Sequence, residues 1–88
     1  MTKDNIVWCD NEESKGYKYI AEIWESNSSY GKLYASNNLR ALKSYVYNQV
    51  KQLYDTAKGN MYLSSDGCRD YPIYMCWRKG RKTYCQNL

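Results

Sequence analysis

The sequence predicts an α+β domain: an antiparallel sheet of about four to six short strands with one long amphipathic helix packed across one face, in the order βββαβββ. Three observations predict it. Residues 37–59 carry apolar side chains at helical spacing. Short β-branched or aromatic runs bounded by turn residues flank that stretch on both sides. A chain of 88 residues makes one domain, 1–88. It has room for one helix against one sheet, because so short a chain buries only about 60–65% of its unfolded surface.

Residues 5–9 (NIVWC) read as a first or edge strand, and 10–16 as a charged loop. Residues 17–25 (YKYIAEIWE) read as a strand with Tyr19, Ala21 and Ile23 on one face. The other face carries Lys18, Ile20, Glu22 and Trp24. Neither face is wholly polar, so both should be partly covered. Residues 26–31 are turn chemistry, and 32–35 (KLYA) return as the second arm of a hairpin.

The helix is expected over 37–59. Leu39, Leu42, Val46, Val50, Leu53 and Ala57 fall in one narrow stripe at about 100° per residue. Ser36, Asn37 or Asn38 can cap its start, Gly59 suits a left-handed terminator, and Lys58 suits the negative end of the dipole. On one flank of the same wheel lie Arg40, Lys43, Lys51 and Lys58, with Tyr47 and Tyr54 among them. That flank reads either as a solvated face with rings lying on lysine stems or as a docking surface rich in Tyr and Arg.

Residues 60–63 (NMYL) read as a strand, 64–67 as a turn, and Pro72 bars a helix from the next segment. Residues 73–78 (IYMCWR) alternate Ile73, Met75 and Trp77 with Tyr74, Cys76 and Arg78. Gly80-Arg81 fits a two-residue hairpin turn of type II′. Closing the hairpin there sets Arg78 opposite Thr83, Trp77 opposite Tyr84 and Cys76 opposite Cys85. Arg78, Lys79, Arg81 and Lys82 then crowd its tip. That tip reads either as a solubilising charged turn or as a basic ribbon for a nucleic-acid backbone or an acidic protein cleft.

Composition narrows the chemistry. There is no histidine, which removes the commonest general base and metal ligand. No phosphate-cradling glycine loop is present. The chain is expected to have no enzymatic activity, no cofactor and no metal. Cys9, Cys68, Cys76 and Cys85 are too widely spaced for zinc knuckles. They are read as small core residues, with a Cys76–Cys85 disulfide as the alternative under oxidation. No leader or membrane-length apolar run is visible, so a cytosolic location is expected.

Charge is polarised within a net +4. Residues 1–30 balance to −3 and residues 31–88, with ten cations against three acids, to +7. Such polarity points to an electrostatically complementary partner and excludes an acidic DNA-like surface. Eleven Tyr and three Trp with no Phe give almost every ring a polar tip, useful both in a thin core and at a contact surface.

Residues 19–50, YIAEIWE…YGKLYASNNLRALKSYVYNQV, resemble small proteins of phages and mobile elements in which a hairpin leads into an amphipathic helix. Some proteins of this build are anti-CRISPR inhibitors. The resemblance implies a non-enzymatic inhibitor that binds and occludes a host nuclease or nuclease–nucleic acid complex in the host cytoplasm. Contact surfaces are expected at Arg40, Lys43, Tyr47 and Lys51 on the helix and at Arg78, Lys79, Arg81 and Lys82 on the hairpin. A small basic DNA- or RNA-binding module using the 73–86 hairpin is the alternative.

Overall fold

The structure, a computed structural model, describes residues 6–9, 16–24, 31–53, 57–65 and 68–88. The elements in chain order are β1 (Val7–Cys9), β2 (Tyr19–Trp24), β3 (Lys32–Ser36), α1 (Leu39–Gln52), β4 (Lys58–Ser65), β5 (Cys68–Lys79) and β6 (Lys82–Asn87). The expected βββαβββ order and α+β class hold. All strand pairs are antiparallel in one six-stranded sheet ordered β1-β3-β2-β4-β5-β6. Residues 10–15 of the loop expected over 10–16, residues 26–30 of the turn expected over 26–31, and Tyr54 on the helix flank lie outside the described residues.

β3 and β4 both run antiparallel to β2, so they are parallel to each other with β2 between them. Parallel strands cannot be joined by a tight turn. The 14-residue α1 supplies the crossover and lies across β2, β4 and β5 on one face of the sheet. Its Leu42, Val46 and Val50 are fully buried against Ala21 and Ile23 of β2, Met61 of β4, and Tyr74 and Cys76 of β5. Tyr45 meets Tyr34 of β3 edge-on, with ring centroids 5.0 Å apart.

The three candidate cap residues divide the work at the helix start. Asn38 is the N-cap, its Oδ1 accepting from the Ala41 amide at 3.0 Å. Ser36 Oγ accepts from the Asn38 amide at 3.0 Å, and Asn37 Oδ1 accepts from the Lys18 amide at 2.8 Å. The cap therefore also ties the helix start to the approach to β2.

The helix end corrects the expectation of a helix to Gly59. α1 stops at Gln52, and Leu53 is already extended at φ −87° and ψ 175°. Ala57 is buried, as its spacing suggested, but in the connection leading into β4. Gly59 is a strand residue beneath the helix: a Cβ there would lie 2.7 Å from Val46 Cγ1 and 3.2 Å from Val50 Cγ2. The missing side chain lets the strand pass close under α1, so this glycine serves close approach rather than helix termination. Lys58 consequently belongs to β4, not to the helix flank.

β5 is also longer than the expected 73–78. It runs back through Pro72 by means of register shifts that leave Ile73 and Asp70 without a partner on β4. Proline has no amide hydrogen for a ladder, and a bulge is where a strand tolerates one. The 60–63 strand likewise lengthens to Lys58–Ser65.

Candidate functional site

The β5–β6 hairpin has the expected register: Cys76↔Cys85, Trp77↔Tyr84, Arg78↔Thr83 and Lys79↔Lys82. Gly80 takes φ 64° at the first turn position, the left-handed conformation that the twist-matched primed turns require. Alternation then separates the four cations of the tip.

Arg78 faces the helix. Its Nε donates to the Gly80 carbonyl at 2.9 Å, and its Nη1 donates to the Lys51 carbonyl in the last turn of α1. The Arg78 amide also donates to the Ala57 carbonyl at 2.8 Å. A guanidinium on a terminal carbonyl satisfies an acceptor the helix cannot satisfy itself and meets the negative end of its dipole. Arg78 thus clasps hairpin to helix. Lys79, Arg81 and Lys82 remain exposed.

The helix flank divides in the same way. Lys43 Nζ donates to Asn87 Oδ1 at 2.8 Å and lies 5.1 Å from the Tyr74 ring centroid, fastening the end of β6 to α1. Tyr47 is half-buried against the core, with Lys51 Nζ 5.9 Å from its ring. Arg40 and Lys51 are exposed. Eleven positions separate them, about 16 Å along the helix axis. The structure brings Lys51 and the hairpin tip together through Arg78 and leaves Arg40 and Lys43 at the other end of α1.

The face of the sheet away from the helix carries a feature that the sequence reading did not assemble. Register places Trp24 opposite Lys58, Lys58 opposite Trp77, and Trp77 opposite Tyr84. These four side chains form one row across β2, β4, β5 and β6. Lys58 Nζ sits 5.0 Å over the Trp24 ring, and Trp77 stacks on Tyr84 with centroids 5.6 Å apart and planes 20° from parallel. Alternation carries Lys79 and Lys82 to the same face, one step toward the hairpin tip. The next row inward runs Leu33, Glu22, Asn60, Met75 and Gln86. Glu22 is the acid of this row.

Beyond that row the same face is closed at β2 and β3. Ile20 is 1% exposed although it points away from α1, beside Ala35 and opposite Tyr62. The expectation that neither face of β2 is open to water along its whole length holds there. The row was hidden in the sequence because Lys58 was assigned to the helix. Trp24 and the Trp77–Tyr84 pair were each placed, but the residue between them was not.

Cys76 and Cys85 face each other on the helix side, and both thiols are free. Burial pushes the Cys76 thiol up to about 11, partly opposed by a hydrogen bond from Tyr74. The Tyr74 hydroxyl is raised well above its ordinary value, first by burial and then by its contacts with Cys76 and Cys85. A thiol so far from ionisation is a poor nucleophile at neutral pH. Among the described residues no group of three or more Cys, Asp or Glu could hold a metal ion, and no helix is long and apolar enough to cross a membrane. No protein-family model, curated protein or solved structure matches the chain.

Proposed function

We propose that this chain is a non-enzymatic binding protein for an anionic partner, met by the end of the molecule where the hairpin tip joins the last turn of α1. The observation that carries the reading is a charge distribution. α1 bears Arg40, Lys43 and Lys51 with no acid, and residues 71–88 bear Arg78, Lys79, Arg81 and Lys82 with no acid. Among the described residues, the exposed ones share α1 or the 71–88 stretch with no carboxylate side chain, which keeps their field available to a partner and speeds encounter with an anionic surface.

The resemblance of residues 19–50 to small phage inhibitors supplies the class of partner: a host defence nuclease, alone or bound to nucleic acid, blocked by stoichiometric occlusion. The corresponding hairpin and helix are β2, β3 and α1. The test is titration of the protein into RNA-guided effector nucleases cleaving a labelled target. Cleavage by a susceptible enzyme is expected to fall to background near one equivalent. A variant with Lys79, Arg81 and Lys82 all changed to Glu should lose at least tenfold in potency. Full cleavage at large excess across the panel, or undiminished potency of the variant, contradicts the reading.

A further inference from the structure

We propose that the face of the sheet opposite α1 binds single-stranded nucleic acid. Unpaired bases would stack on Tyr84, Trp77 and Trp24, with phosphates held by Lys58, Lys79, Arg81 and Lys82. This rests on the reading of an anionic partner and names the partner chemistry that this face selects.

Four strands contribute one residue each to the row, and strands sit about 4.8 Å apart. The row is therefore about 14 Å long. Tyr84 is 41% exposed at its outer end. Three rings with Lys58 among them and Lys79 and Lys82 beside them suit a nucleic-acid strand, which offers a flat π-face and a charge at every nucleotide. An acidic peptide would use the lysines but leave the rings without a stacking partner. A duplex would offer phosphates while keeping its bases stacked on one another.

A second observation points the same way. Lys79 and Lys82 are direct cross-strand partners beside the turn, and like charges so placed destabilise a hairpin. Both flank the aromatic row, and an anion between them removes the repulsion. Lys58 has no such repulsion: it lies between two tryptophans with its ammonium over the Trp24 ring, and being exposed it can meet a phosphate of a strand lying along the row. Glu22 lies in the adjacent row and is half-buried, whereas Lys79 and Lys82 at the hairpin end of the face are exposed.

The experiment is fluorescence anisotropy with a labelled single strand of about 12 nucleotides, within the site size of comparable sheet platforms. The same sequence as duplex and a poly-glutamate peptide are run beside it, each over a salt series. Single strand is expected to bind at least tenfold more tightly than duplex or peptide. Tyr84→Ala should weaken single-strand binding about fivefold or more with the salt slope unchanged. Tyr84→Trp should restore it, which separates stacking from a folding defect. Lys79→Gln with Lys82→Gln should reduce the slope of log K against log salt by about 1.4.

Equal affinity for duplex and single strand, equal affinity for the peptide, or indifference to Tyr84→Ala overturns the proposal. Inhibition of a nuclease with no single-strand binding also overturns it, and leaves the anionic-partner reading standing. Single-strand binding without inhibition of any nuclease supports it and removes the nuclease.

Discussion

Replacing Gly59 by alanine puts a methyl group where Val46 Cγ1 would be 2.7 Å away, Val50 Cγ2 3.2 Å and Ile23 Cγ1 3.5 Å. The first distance is too short for a carbon–carbon contact, and the groups it meets are in the packed centre of the helix–sheet interface. Overpacking of this kind costs about 1–3 kcal/mol. Restricting the unfolded chain by losing a glycine returns about 0.4–1 kcal/mol. A 2.7 Å contact belongs in the upper half of that range, so the net expectation is a loss of about 1–2.6 kcal/mol, or a Tm lower by about 4–21 °C for a domain of this size. Urea unfolding followed by tryptophan fluorescence measures it. Val46→Ala removes the atom in the way. That variant alone should cost about 1–3 kcal/mol as a cavity, and the double variant should be more stable than the sum of the two by about 1 kcal/mol. A neutral Gly59→Ala, or strict additivity in the double variant, would refute the placement of β4 under α1. That placement also orients Lys58 toward the opposite face.

Asn38→Ala should cost about 1 kcal/mol through loss of the N-cap, and Asn38→Gly only a few tenths, read from thermal unfolding. Arg78→Gln should cost about 1 kcal/mol, after discounting a charge-assisted hydrogen bond for its solvent exposure. Lys79→Gln, Arg81→Gln and Lys82→Gln should each stay within about 0.5 kcal/mol. Equal losses at all four would mean that Arg78 is no clasp. Because Cys76 and Tyr74 have raised values in the folded protein, their contribution to stability is fully present below the unfolded values. The unfolded chain releases these protons first as pH rises, so stability should fall from about pH 9 upward, toward about 11 for the thiol. Urea midpoints against pH check this, and Cys76→Ala should flatten the slope. At pH 8, iodoacetamide should modify exposed Cys85 well before buried Cys76. Equal labelling rates would contradict the packing of that strand pair.

The second hairpin was legible to the residue because its signals are local. Gly80 dictates the turn, and the alternation of Trp77 with Cys76 fixes which register keeps like faces together. The helix stripe was legible for the same reason over Leu42, Val46 and Val50. What periodicity cannot register is that a residue may be in the core without being in the helix. Leu53 and Ala57 continue the spacing, yet Leu53 is an extended cap and Ala57 precedes a strand. The glycine that seemed to end the helix is explained by a side chain 13 residues earlier, a tertiary contact with no local trace. The path of β5 through Pro72 was hidden likewise, since two bulges absorb the proline. These misplacements propagate to the site. Lys58 was read as part of a helix flank, and Arg78 as a free tip charge, when it is the residue that joins hairpin to helix.

The most direct test of the central claim is an amide and indole proton–nitrogen NMR titration of the protein with a single-stranded oligonucleotide. Shifts are expected at the Trp24 and Trp77 indole groups and at the amides of Lys58, Lys79, Lys82 and Tyr84, with Arg40 and its helix neighbours unmoved. Shifts confined to the helix flank, or none at oligonucleotide concentrations of about 100 μM, would contradict it.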